Sequence, residues 1–181
     1  QPPSRPTTEV QAVILDSMDR MFGQLVDRLD GLTDQEYLWE PVPGMWSVRA
    51  TDGPPKVDGA GVRELEDAPT TTIAWRLWHL SLDCFDDYTR RFGGDHAAAT
   101  DIWTLSAQEA IEGLQEAWIA YRREIGGRDW WSELGEDWGP WSSHCVADMA
   151  MHAGNELTHH GAEIALLRDL HRLGGPASRL R

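Results

Sequence analysis

The sequence predicts an all-α fold, a four-helix bundle carried on a single domain that takes in residues 1–181. Four long stretches repeat apolar residues at steps of three and four, no stretch alternates apolar and polar residues over the length of a strand, and no internal repeat divides the chain. Around that core, residues 1–7, with three prolines by Pro6, are predicted as a loose leader, and residues 174–181 as a tail.

The first helix is expected from about Thr8 to Asp30, because Val10, Val13, Ile14, Met18, Met21, Leu25 and Leu29 recur at helical spacing and Gly31 supplies a stop. Thr33, Asp34 and Gln35 suit the cap of one short helical turn. The prolines and glycine between Glu40 and Ser47 then break regular structure. From Val48 to Pro69 the Gly, Pro and Asp content predicts a long loop, and a loop of that length in a compact domain predicts a pocket wall or lid. A second helix follows the Thr70-Thr71-Thr72 caps and ends near Gly93-Gly94. The third starts at Ser106, where Glu109 completes a capping box, and runs to Gly126-Gly127. The fourth spans roughly Ser142 to Leu173, with Val146, Met149, Ala153, Leu157, His160, Ile164, Leu167 and His171 on one stripe, and Gly174-Gly175-Pro176 ends it.

Sixteen Lys and Arg stand against 30 Asp and Glu, so the chain offers no electrostatic footprint for nucleic acid or an anionic membrane surface. No apolar run approaches the ~20 residues a membrane span needs. Cys84 and Cys145 are far apart, without a CxxC pair, and read as small buried hydrophobes; with no signal-peptide pattern, a cytoplasmic location is expected.

Glu156 and His160 are four residues apart on the fourth helix and project from the same face, beside the core stripe. A carboxylate buried there without a partner is costly, and a divalent cation removes that cost while taking lone pairs from both groups. The same spacing also makes an ordinary helix ion pair. His79, in the apolar run Ile73 to Leu80, is the expected third ligand from a facing helix. His152, one turn before Glu156, is the rival; His159 should point away from His160. Asp83, one turn past His79, could hold a ligand's second nitrogen or be surface charge. Trp46, Trp103 and His144 are candidate pocket residues, and Trp138 and Trp141 could wall the pocket or plug the bundle. His96 and His171 read as surface or helix-end residues. The Glu hardens the donor set, so zinc leads, with nickel, iron or manganese open.

The Leu77-Trp78-His79-Leu80 run, the stretch from Asn155-Glu156-Leu157-Thr158-His159-His160 to Ile164, and Trp39-Glu40-Pro41-Val42-Pro43-Gly44-Met45-Trp46-Ser47 together resemble the DinB-like superfamily. The likeness runs from the first helix to about Leu173 and is closest to the actinobacterial branch that includes mycothiol-dependent maleylpyruvate isomerase. The resemblance implies a four-helix bundle, often a homodimer, with a divalent ion held by His79, Glu156 and His160. It also implies a thiol S-transferase or isomerase in which the ion activates a low-molecular-weight thiol such as mycothiol toward a small-molecule substrate. A non-catalytic dimeric bundle that binds a metal or small ligand, and a hydrolase using metal-bound hydroxide, are the alternatives the residues leave open.

Overall fold

The computed structural model describes residues 7–62, 69–95 and 99–174. Most of the expected leader and tail, and His96, lie outside the described residues. The chain is mostly helical. Helix α1 spans Thr7–Leu29, a single turn α2 spans Asp34–Tyr37, and two short strands follow, β1 at Val48–Arg49 and β2 at Lys56–Val57. The second long rod has three consecutive parts: α3 at Ile73–Trp78, a π-helical segment at His79–Asp86 and α4 at Asp87–Phe92. Helix α5 spans Ala107–Gly126, a short 3₁₀ helix covers Glu136–Trp141, and α6 spans Val146–Arg172.

The capping chemistry read from sequence sets these boundaries. Thr33 accepts from the Glu36 N–H, Thr72 from Trp75 and Ser106 from Glu109, each satisfying a donor the first helical turn leaves open. The capping box expected at Ser106 forms only this half, because Thr104 intervenes: its hydroxyl donates to the Glu109 carboxylate and accepts from the Ser106 N–H. Helix α6 starts at Val146 rather than Ser142, because Gly139 (φ 55°, ψ −121°) and Pro140 break the backbone, and Cys145 then caps the helix through Asp148. That cap leaves Cys145 partly exposed, so it is not the buried hydrophobe expected.

The π segment is the largest departure from the expected plain helix. Its backbone bonds reach one residue further along the chain, which widens the turn and aligns residue i with both i+4 and i+5. His79, Asp83 and Cys84 thereby share one face. The segment packs against α5 and α6, and α1 packs against α5 and α6. Leu77, Leu80, Phe85, Leu114, Tyr121, Ala153 and Ile164 are all essentially buried between these rods. Each large apolar side chain so removed from water contributes about 1.5–3 kcal/mol, enough to hold polar groups in unusual positions nearby.

The expected loop from Val48 onward contains an antiparallel pairing that sequence alternation did not signal, since two residues per strand are too few to show a period; Val48 faces Val57 and Arg49 faces Lys56. Arg49 ties the segment together, with its guanidinium on Asp58 (2.7 Å), on the Met45 carbonyl (2.6 Å) and on Glu40. The loop then meets α3: Trp75 donates its indole N–H to the Asp58 carbonyl (2.9 Å), and Trp46 lies 6.1 Å from Trp75, ring centre to ring centre. Its described part thus braces the rod behind His79 and does not line the main cavity described below.

Gly59 makes this brace fit. It has φ of 64°, and a Cβ there would fall 2.3 Å from the Trp46 ring. Gly59→Ala should therefore lower stability by about 1–3 kcal/mol through backbone strain and overlap. Urea unfolding checks this, and an unchanged midpoint would show that Trp46 moves freely.

Candidate metal centre

Helix α6 buries Met149, Ala153, Leu157, Ile164 and Leu167, and this stripe turns Glu156 and His160 toward the second rod. The π segment supplies His79 from the opposite side. The three side chains are 17%, 12% and 18% exposed, so they sit at the edge of the core with restricted water. Glu156 Oε2 lies 3.2 Å from His79 Nε2 and 3.3 Å from His160 Nε2. One donor atom from each residue falls within 4.8 Å of the others.

These separations suit a metal. An ion bonded at about 2.0–2.2 Å to nitrogen and oxygen in tetrahedral array holds its ligand atoms roughly 3.3 Å apart. The orientation of the imidazoles suits it as well. His79 Nδ1 is 3.0 Å from Asp83 Oδ2, and His160 Nδ1 is 2.8 Å from Glu163 Oε2. When each Nδ1 donates its hydrogen to its carboxylate, both Nε2 lone pairs face Glu156, the arrangement in which outer carboxylates fix and strengthen histidine ligands. Trp75 stacks on His79 at 5.1 Å between ring centres with planes 14° apart, which further fixes that ring.

In the absence of a cation, a proton fills the same electrostatic need. Burial by itself would lower the His79 pKa, but hydrogen bonds with Asp83, Cys84 and Glu156 outweigh it and push the value up to about 12. Hydrogen bonds from His160 and His79 hold the Glu156 carboxyl far below its ordinary range. At Glu163 burial opposes ionisation, yet His160 and Arg76 bring the value down to about 2. Proton and metal thus compete for one cluster, and metal binding must release protons.

The centre opens on one side into a cavity of about 460 Å³. His79, Asp83, Cys84 and Glu156 form its inner end; Asp87, Tyr88 and Arg91 line it along α4, Met149 and His152 along α6, and Trp138, Pro140 and Trp141 from the 3₁₀ helix. Trp138 and Trp141 are therefore pocket walls. His152 stands beside Glu156, its Nε2 3.9 Å from Oε1, and faces the cavity between Tyr88 and Trp141. His159 is 58% exposed, as its position on the helix predicts, but its ring does not point away from His160: the two stack with centres 4.8 Å apart, because the imidazole folds back along the helix surface toward Glu163.

Three expected pocket residues do not line this cavity. Trp46 is drawn behind Trp75 by the loop brace. Trp103 packs on α5 at Gly113, where the missing side chain leaves room for its ring. His144 lies behind Trp141, 4.7 Å between ring centres, so that the tryptophan screens it. Cys84 is buried as expected, but its sulfur lies 3.5 Å from His79 Nε2 rather than in purely apolar surroundings.

Sequence reasoning passed over Glu163, Arg76, Tyr88 and Arg91. Two of them left a signal. Glu163 is three residues beyond His160 on the same helix face. Arg76 is the one cation in the apolar run Ile73 to Leu80, and a charge buried in such a run needs a partner. Comparison of the chain with known protein families, with curated proteins and with solved structures found no match.

The pKa directions set the pH response of chelator-treated protein. A histidine whose folded pKa is raised contributes stability that is complete below its ordinary value of 6.5 and is lost as pH rises toward about 12. The depressed Glu156 and Glu163 carboxyls contribute stability above their ordinary 4.5 that is lost on acidification. Urea unfolding across pH should show both slopes, and His79→Gln should flatten the alkaline one. An unaltered alkaline slope in that variant would assign it to another group.

Proposed function

We propose that this chain is a DinB-like four-helix bundle and a divalent-metal-dependent enzyme, one that activates a low-molecular-weight thiol for S-transfer to, or isomerisation of, a small electrophile. The observation that carries the reading is the convergence of His79 Nε2, His160 Nε2 and Glu156 Oε2, with each Nδ1 held by a carboxylate, beside a cavity that His79 and Glu156 line. Three protein donors leave a coordination position for a reactant, as catalytic sites do and closed structural sites do not. The mixed nitrogen and oxygen donor set favours zinc, with nickel, iron and manganese as further candidates.

A cation held there supplies positive charge that favours a thiolate over a thiol at neutral pH. The chain does the rest. Asp83 and Glu163 stand at the two Nδ1 atoms and fix the imidazoles in direction, so that each Nε2 is the nitrogen turned toward Glu156. Tyr88, Met149, Trp138 and Trp141 offer apolar surface to the body of a small molecule, and Arg91 adds a cation at the wall. The thiol proton passes to water in the cavity, and a sulfur lone pair forms the bond to the electrophilic carbon. The displaced electrons leave with the departing group in transfer, or return to expel the thiolate in isomerisation.

Elemental analysis of the purified protein beside His79→Ala, Glu156→Ala and His160→Ala tests this first. Wild type should carry about one ion per chain, and each variant, with helicity retained by circular dichroism, should lose it. Metal-free wild type after growth and purification with added zinc would overturn the reading. With metal established, consumption of small thiols in the presence of an electrophile should fall at least roughly a hundredfold in the same variants, given how much such ions contribute to nucleophile formation.

A further inference from the structure

The outer face of the centre contains a second trio of metal-binding groups. His159, His160 and Glu163 also bring one donor atom each within 4.8 Å of the others. His159 Nε2 lies 3.4 Å from Glu163 Oε1, and His160 Nδ1 lies 2.8 Å from Oε2. The two trios share His160 but use different nitrogens: Nε2 belongs to the inner centre and Nδ1 to the outer one. An imidazole whose Nδ1 keeps its hydrogen serves only the inner centre.

One residue bears on this choice. Arg76 on α3 is 8% exposed, and its Nε lies 2.8 Å from Glu163 Oε2, the oxygen that also faces His160 Nδ1. A guanidinium carries its charge at every pH of interest and has no lone pair to give a metal, so its ion pair with Oε2 stands where a cation at the outer trio would approach that oxygen. It also opposes the approach of any cation to Glu163.

Building on the metal reading above, we propose that Arg76 is a positioning residue that commits His160 to the inner centre. By holding Glu163 it keeps that carboxylate as the acceptor for the His160 Nδ1 hydrogen and withholds it from a metal. The arrangement solves a problem that helical spacing creates. His159, His160 and Glu163 lie within one turn or so of α6 and are partly open to solvent, so without Arg76 they would draw His160 and ions away from the more enclosed inner site, at lower affinity than the intact inner site provides. The buried charge is the cost, and Glu163 offsets it.

The test uses zinc ion alone as the probe, with affinity read by competition against a chromophoric chelator and with cobalt absorption reporting the ligand set. Arg76→Met keeps the apolar length of the side chain. In the wild-type background it should weaken binding by roughly tenfold or more, as loss of outer-shell support does elsewhere. In the Glu156→Ala background, where the inner centre is disabled, adding Arg76→Met should restore binding by at least about tenfold as the outer trio becomes available. Adding His159→Ala should abolish the restored binding, and Arg76→Lys, which keeps the charge, should restore none.

If Glu156→Ala with Arg76→Met, shown folded by circular dichroism, binds zinc no better than Glu156→Ala alone, the role of Arg76 is overturned and the inner centre stands. Restored binding that ignores His159→Ala overturns it equally. Wild type that binds no zinc removes the metal reading itself, and this inference with it.

Discussion

Glu156 is the group on which the arrangement depends. A carboxylate at the margin of a packed core, left without partners, costs several kcal/mol, which is a large share of what a domain this size has in reserve. Two imidazoles meet that demand, one from its own helix and one from the facing rod. The first follows from helical spacing. The second requires the π segment to lie against α6 at one height and one rotation, so the electrostatics of a single side chain help fix how two rods pack. Apolar burial alone would tolerate sliding between neighbouring packings; a directional contact at 3.2 Å does not.

The π segment serves the same demand. An α-helical rod would place Asp83 beneath His79 but would carry Cys84 around to another face. With the wider turn, Asp83 reaches His79 Nδ1 while Cys84 lies 3.5 Å from Nε2. Both nitrogens of one ring are thus contacted from residues four and five places along the same backbone. Such segments have poorer internal bonding than an α-helix and persist where surrounding packing holds them. Here Leu77, Leu80, Cys84 and Phe85 are buried against the neighbouring rods, and Trp75 stacks on the histidine itself.

This bears on what the sequence could disclose. The rods and most of their ends were legible, because apolar periodicity and side-chain caps act over a few residues: Thr72, Ser106 and Thr33 cap as read, and Gly31 lies at the end of α1. The meeting of His79, Glu156 and His160 was legible from one physical premise, that ionisable groups in apolar runs need partners. The π segment was not, since the His79 to Asp86 stretch has the composition of an ordinary helix and its register is decided by contacts distant in sequence. Nor were the pocket walls. Trp46, Trp103, Trp138 and Trp141 are alike as residues in connecting segments, and only the path of each loop decides which meets the cavity. Cys145 escaped because a helix start displaced by Gly139 and Pro140 turned it from a core position into a cap.

The two sides of the centre differ in a way that gives it a direction. Behind His160 stand Glu163, a carboxylate already engaged, and Arg76, a guanidinium that repels cations. Beyond His79 and Glu156, Asp83, Tyr88, Met149, Trp138 and Trp141 surround open volume. The cavity side therefore offers a reactant room beside the cluster, where apolar walls limit the water that competes for charge stabilisation and raise the strength of every electrostatic contact. The acidity of the whole chain, with net charge −14, draws cations toward the protein without choosing among its many carboxylates. Choice comes from within the cluster, where two imidazoles oriented by outer carboxylates add nitrogen donors beside Glu156 that surface acids lack.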